Sequence, residues 1–232
     1  MKISLVILTC NEIHGLKALF HRIPRQSVDE IFAVDWNSTD GSIEFLEKND
    51  VKVLRQTMKG RGEAFRMAFA QAQGDALIFF SPDGNEMPED IPKFRPFLEN
   101  GADIVIGNRM SDGGYNEEDG ELLKFRKWAN QGFTLIANVV WNRGKYVHDT
   151  INGFRAIRRS AWNSITPDGS GYTIEYQTSI RAFKRKLVIK EFPTHEGSRI
   201  EDRVGSPSIP TGMAFVKLFF AECFHGSSKP IR

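Results

Sequence analysis

The chain has 232 residues, 41% of them hydrophobic, with 31 Lys and Arg against 29 Asp and Glu, a formal net charge of +2. Such a chain can bury a full core without metals or disulfides, and its composition excludes the disordered and fibrous classes. The near-zero net charge gives no support to bulk nucleic-acid binding.

Ile3–Leu8 is a continuous apolar run, as expected for a parallel strand covered on both faces. It is short, lacks a cleavage site and meets Asn11-Glu12 at once, so it reads as a strand and not a leader. Ile13, Leu16, Leu19, Phe20 and Ile23 then follow at helical spacing. Ile31–Val34 predicts a second strand that ends at Asp35, and Asp40 can cap a helix carrying Ile43, Phe45 and Leu46. Val51–Leu54 predicts a third strand, and Ala64, Phe65, Ala68, Phe69 and Ala72 a helix. Ala76–Phe80 and Asp103–Gly107 are the fourth and fifth strands. This alternation predicts an α/β class with a mostly parallel central sheet.

The second half is less regular. Ser111–Glu121, acidic and Gly-rich, reads as a mobile surface loop, and Leu122–Trp141 as a helix. Gly153–Ile157 and Leu187–Phe192 are strand candidates, and Thr173–Lys184 a helix. Gly197–Pro210 reads as a loop and Met213–His225 as a closing helix. The longest uncharged stretch, Trp128–Asn142, is 15 residues and holds Asn, Gln and Gly, against about 20 apolar residues needed to span a membrane. Cys10 and Cys223 have no paired spacing, so neither a disulfide framework nor a zinc site is expected, and a reducing, cytoplasmic compartment fits.

Ligands of an open parallel sheet bind beyond the carboxyl ends of its strands. There the chain places Thr9, Cys10, Asn11 and Glu12, then Asp35 through Gly41, then Lys59-Gly60-Arg61-Gly62, then Ser81 through Asn85, then Asn108 and Arg109. Singly, each has a plain reading. Glu12 suits a helix N-terminus, Asn37–Gly41 a turn and cap, and Asp83 an Asx turn before Gly84. The two glycines beside Lys59 and Arg61 suit either a tight turn or an approaching phosphate. No dinucleotide fingerprint follows the first strand.

Taken in order, LTCNE, VDWNSTDGS, KGRGEAFRMAFAQAQGD, FFSPDGNEMPEDIP and IGNRM resemble the family 2 glycosyltransferases of GT-A fold. Within them the set looks most like the dolichol-phosphate and polyprenyl-phosphate sugar synthase branch. DTINGFRAIRR and EYQTSIRAFKRKLVIKEFPTHEGSR extend the likeness to about residue 208. The resemblance implies one GT-A domain over 1–210, with a nucleotide-sugar half at 1–110, an acceptor half at 111–210, and an amphipathic helix and tail at 211–232. It implies a GDP-, UDP- or dTDP-sugar donor held by Thr9, Asn11, Glu12, Asp35, Lys59, Gly60, Arg61, Gly62 and Asp83. Asp83, with Asn85, would hold Mg²⁺ or Mn²⁺ on the diphosphate, as oxygen ligands suit hard cations. Two positions depart from the pattern. Ser81 stands where the Asp-x-Asp motif has its first acid, and Trp36 where the branch often has a second acid.

On the acceptor side the resemblance implies that Arg109, Arg126, Arg199, Arg203 and Ser206 hold a lipid phosphate, Asp83, Arg109 and Arg126 being the catalytic set. Arginine suits bidentate phosphate contact. Arg158, Arg159 and Lys184–Lys186 read instead as ordinary surface charge. A phosphate oxygen needs no strong base. A glycan hydroxyl acceptor would need one, and Asp149 and Glu175 are the candidates. A non-catalytic nucleotide-sugar binder is the third reading. Met213–His225, and Trp128–Trp141 behind Lys124, Arg126 and Lys127, are candidate interfacial helices for peripheral contact with the inner face of a membrane.

Overall fold

The computed structural model describes residues 1–120, 123–200 and 208–224. Seven strands form one sheet in the order β3-β2-β1-β4-β6-β5-β7. They are β1 (Ile3–Thr9), β2 (Glu30–Asp35), β3 (Lys52–Arg55), β4 (Ala76–Phe80), β5 (Ile104–Asn108), β6 (Arg155–Arg158) and β7 (Ile189–Pro193). All neighbours are parallel except β6, which runs antiparallel to both β4 and β5. The helices are α1 (Ile13–Leu19), α2 (Ser42–Lys48), α3 (Arg61–Gln71), α4 (Phe94–Glu99), α5 (Phe125–Trp141), α6 (Arg159–Ile165), α7 (Ile174–Lys184) and α8 (Ser208–Phe224).

Successive strand residues point to opposite faces, and this divides the core in two. Ile3, Leu5, Ile7, Ile78 and Phe80 pack with Leu16 of α1, Leu46 of α2 and Leu98 of α4. On the other face Val6, Phe32, Val34 and Phe79 pack with residues of α3, α6 and α7. Phe65 stacks on Phe79 with centroids 3.7 Å apart, and Phe69 on Trp162 at 4.2 Å. Burying β1 completely requires both layers, which is why its sequence does not alternate.

The first five strands lie within a residue of their expected bounds. α1 tightens into a single 3₁₀ turn at Phe20–Arg22, ahead of Pro24. α6 was not expected, being only seven residues long. α5 begins at Phe125, three residues after the expected start; Leu122 lies outside the described residues. α8 begins at Ser208, inside the stretch expected to be loop.

Three residues expected as surface charge are structural. The Arg158 Nε donates to the Ala102 carbonyl at 2.7 Å. The Arg159 guanidinium donates to the carbonyls of Phe69, Ala72 and Gly74, closing the C-terminal end of α3. Lys184 is inside, its Nζ 2.7 Å from Glu222. Arg185 and Lys186 are exposed, as expected.

Glu222 anchors α8. It is 1% exposed and also accepts from Arg181 Nε at 2.8 Å and Gln177 Nε2 at 3.0 Å. Burial pushes its carboxyl up, but Lys184 and Arg181 outweigh burial and hold it below its ordinary value of 4.5. A carboxyl lowered by folding adds stability above its unfolded pKa and loses it as pH falls through the folded value. Glu222→Gln should therefore cost about 2 kcal/mol at neutral pH, the scale of a charged hydrogen bond. The gap between urea midpoints of variant and wild type should close as pH drops below the unfolded value.

Candidate functional site

The C-terminal ends of β1, β2, β4, β5 and β7 and the start of β6 open on one edge of the sheet. At the β1–β2 end the polar residues cross-link two loops. Asp35 is fully buried; its Oδ2 accepts from Thr9 Oγ1 at 2.8 Å, and its Oδ1 from Ser38 N–H at 2.9 Å. Asn11 takes a positive φ of 59°, its N–H donates to Ser38 Oγ, and its Oδ1 accepts Thr39 N–H at 2.8 Å. Glu12 N–H donates to Ser42 Oγ at 2.9 Å. Asp40 ties the starts of both α1 and α2, accepting Ile13 N–H and Ser42 N–H at 3.0 Å each. The adjacent N-cap position of α2 is Gly41.

The glycines at 60 and 62 have a packing reason. A Cβ on Gly62 would lie 1.8 Å from the Gly169 carbonyl oxygen, and one on Gly60 2.1 Å from that of Ser170. Gly62 N–H donates to the Ser170 carbonyl at 3.0 Å. Lys59 is exposed, while Arg61 turns inward. Its guanidinium pairs with Glu175 on α7 and donates to Ser81 Oγ at 3.2 Å. Arg61 thus ties the start of α3 to α7 and to the turn after β4.

The turn after β4 holds the densest chemistry. Asp83 Oδ1 accepts Asn85 N–H at 3.1 Å, and Gly84 has a φ of +104°. Asn85 Oδ1 is buried with no hydrogen-bond partner. Glu86 Oε2 accepts Ser81 N–H at 2.7 Å. Burial pushes Asp83 upward against the opposing pull of Arg199 and Arg61, and pushes Glu86 up to about 8. The segment after β7 crosses this turn: Ile200 N–H donates to the Asp83 carbonyl at 2.9 Å, which brings Arg199 near Asp83. The Asp83 carboxylate and the orphaned Asn85 oxygen fit a hard divalent cation. Among the described residues, no three His, Cys, Asp or Glu side chains gather as a metal cage.

Directly after β5, Arg109 is clamped. Its Nε lies 2.8 Å from Asp149 Oδ2, its Nη2 3.2 Å from Asp149 Oδ1, and its Nη1 2.6 Å from Glu196 Oε1. Burial opposes the charge, but the two carboxylates outweigh it and raise the pKa. Arg126 is exposed and pairs with Glu117 and Glu118. Arg203 and Ser206 lie outside the described residues. Arg155 is a core strut, fully buried and donating to the Asn152, Glu175 and Thr150 carbonyls and to Thr178 and Ser179. Burial pulls its pKa down to about 10.

The stretch expected as a mobile loop is pinned. Asn116 Nδ2 and Glu117 N–H both donate to Glu196 Oε2, Tyr115 N–H donates to the Thr194 carbonyl, and the Tyr115 ring stacks on His195 at 4.4 Å. Glu196 therefore holds Arg109 and this segment together. Neither Glu196 nor Glu86 was singled out from the sequence, although each follows a strand end by a few residues, the same signal that marked Asp83.

Residues 4–166 match the family model described as Glycosyl transferase family 2. A dolichol-phosphate mannosyltransferase of Pyrococcus furiosus is 30% identical over 90% of this chain. The chain spans 61% of that relative's length. A polyprenol monophosphomannose synthase of Mycolicibacterium smegmatis is 26% identical over 81% of this chain and 74% of its own. Among solved structures, glucosyl-3-phosphoglycerate synthase of Mycobacterium tuberculosis, crystallised with Mn²⁺, UDP-glucose and phosphoglyceric acid, superposes with a TM-score of 0.73. The identity is 20%, over 96% of this chain and 79% of that one. The fold is that of the GT-A glycosyltransferases, as the sequence motifs implied.

Proposed function

The chain belongs to glycosyl transferase family 2, and on that premise we propose that it moves a sugar from a nucleotide-diphosphate donor to a polyprenyl- or dolichyl-phosphate-type acceptor, inverting the anomeric centre. The observation that carries this reading is the Ser81–Glu86 turn at the strand ends, where half-buried Asp83 lies in the field of Arg199 and the Asn85 oxygen is buried with no hydrogen-bond partner among the described residues. The loops at 9–13 and 35–42 would receive the base and ribose. Asp83 and Asn85 would hold Mg²⁺ or Mn²⁺, whose charge eases departure of the nucleoside diphosphate. Lys59 would approach the diphosphate from solvent, while Arg61, Gly60 and Gly62 shape the floor.

Arg126 and Arg199, with Arg203 and Ser206, would orient the acceptor phosphate. Its oxygen is ionised at neutral pH, so positioning and charge stabilisation suffice. Arg109, shared between two carboxylates, would hold the wall behind it. The pairing of Asp149 with Arg109 and of Glu175 with Arg61 disfavours the hydroxyl-acceptor reading, because both candidate bases are engaged.

A lipid acceptor needs an apolar approach. Phe125, Trp128 and Val139 on α5, and Met213, Phe220 and Phe224 on α8, are exposed. The two helices touch through Phe133–Phe215 and Trp141–Phe219, 5.2 and 5.3 Å between centroids. Lys124, Arg126 and Lys127 at the start of α5 are paired with Asp119, Glu117 and Glu118, so the apolar faces of the two helices carry the interfacial reading. Among the described residues, no helix is long and apolar enough to cross a membrane.

The test is transfer from GDP-, UDP- and dTDP-hexoses to polyprenyl phosphate in vesicles, with Mn²⁺ or Mg²⁺, alongside Asp83→Ala. One donor should support transfer, and Asp83→Ala should lower kcat at least about 100-fold, the scale of losing one preorganised charge-stabilising group. Tight nucleotide binding without turnover on any acceptor would replace this reading with the binder.

A further inference from the structure

Ser81 offers no carboxylate to a cation, yet a carboxylate returns to its backbone from five residues further on. Glu86 is 8% exposed, and Ser81 N–H is its hydrogen-bond donor among the described residues. One neutral N–H does not compensate a buried carboxylate. Beside it, Asn85 Oδ1 is buried and has no hydrogen-bond partner among the described residues. Asp83 has Asn85 N–H as a donor and lies within electrostatic range of Glu86. Three side-chain oxygens within four residues are thus under-bonded in one half-buried turn, bent by the positive φ of Gly84. Under-bonded oxygens with two carboxylates among them are what a hard divalent cation takes.

We propose that Glu86 supplies the second carboxylate of the Mg²⁺ or Mn²⁺ site, replacing the acid missing at Ser81. This rests on the metal-assisted transferase reading above. The geometry also gives a reason for the relocation. Arg61 Nη1 lies 3.2 Å from Ser81 Oγ. An aspartate at 81 would face that guanidinium, and their ion pair would compete with the cation for the carboxylate. Glu86 reaches the turn from its other end, where Arg61 acts on it through space while the guanidinium's hydrogen bonds go to Glu175 and Ser81.

Mn²⁺ binding, followed by the loss of free-ion electron paramagnetic resonance signal with saturating GDP and then UDP, tests this without turnover. Glu86→Gln keeps the shape and can still accept Ser81 N–H. Its Mn²⁺ Kd should rise at least about tenfold, the scale reported for perturbed metal surroundings. Its metal-free thermal midpoint should not fall, since an uncompensated charge is removed, and its metal-free nucleotide affinity should stay unchanged. Unchanged Mn²⁺ affinity in Glu86→Gln, with affinity lost in Asp83→Ala, would overturn the role of Glu86 and leave the metal reading standing. Absence of Mn²⁺ binding in the wild type would overturn both. Joint loss of Mn²⁺ affinity and metal-free nucleotide affinity would make Glu86 a support of the turn and overturn the assignment.

Discussion

Arg109→Ala should destabilise the protein by about 3–5 kcal/mol, the cost of stripping one partner from a buried ion pair. Its guanidinium is 11% exposed, and the Asp149 and Glu196 side chains it separates are 1% and 3% exposed. Removing it leaves two carboxylates buried and facing each other. Total stabilities of about 5–15 kcal/mol make that loss a large share. Urea denaturation at neutral pH measures it directly. Arg109→Lys should recover only part, because one ammonium cannot make the forked contacts to both acids. Combining Arg109→Met with Asp149→Asn and Glu196→Gln should recover most of the stability, since the stranded charges are gone. Transfer should stay low in the triple variant, because the ion pair that joins residue 109 to Glu196 and its 116–117 contacts is gone.

Gly15→Ala should also be severe, against the usual rule for a helix interior. Alanine ordinarily favours a helix by about 1 kcal/mol over glycine. Here a Cβ on Gly15 would lie 1.7 Å from the Pro82 carbonyl oxygen and 3.7 Å from the Asp83 Cα. No rotamer change relieves a backbone clash, so either α1 or the turn after β4 must move. Overpacking costs about 1–3 kcal/mol, and a site displaced by about 1 Å loses roughly 100-fold in rate. The expected result is a modest fall in the urea midpoint with a disproportionate fall in kcat. Equal activity and a raised midpoint would contradict the close approach.

Much of the first half is legible in order along the chain. Ile3–Leu8, Ile31–Val34 and Ala76–Phe80 are apolar runs ending in polar residues, and all three strands appear within a residue or so of those bounds. The second half is less so. Nothing in RAIR marks it as the antiparallel strand placed between β4 and β5. Arg158 and Arg159 look like solvated charge because an arginine's residue type does not say whether carbonyls await it. At Arg159 they are the unpaired ends of α3, brought there by the β4–β6 pairing. The acidic stretch at 111–120 reads as mobile for the same reason, since its partner Glu196 lies some 80 residues away.

The sequence by itself therefore determined the family, the alternation of strand and helix, and the turn carrying Asp83 and Asn85. These depend on local periodicity and on motifs whose residues lie side by side. Only the tertiary structure decided that Gly60 and Gly62 yield to the 169–170 backbone, that Arg61 faces Glu175 and Ser81, and that Arg109 is shared by Asp149 and Glu196. Those contacts span about 40 to 110 residues for most pairs. Their energy comes from desolvated charges meeting only when the sheet is assembled, and composition and spacing carry no record of that meeting.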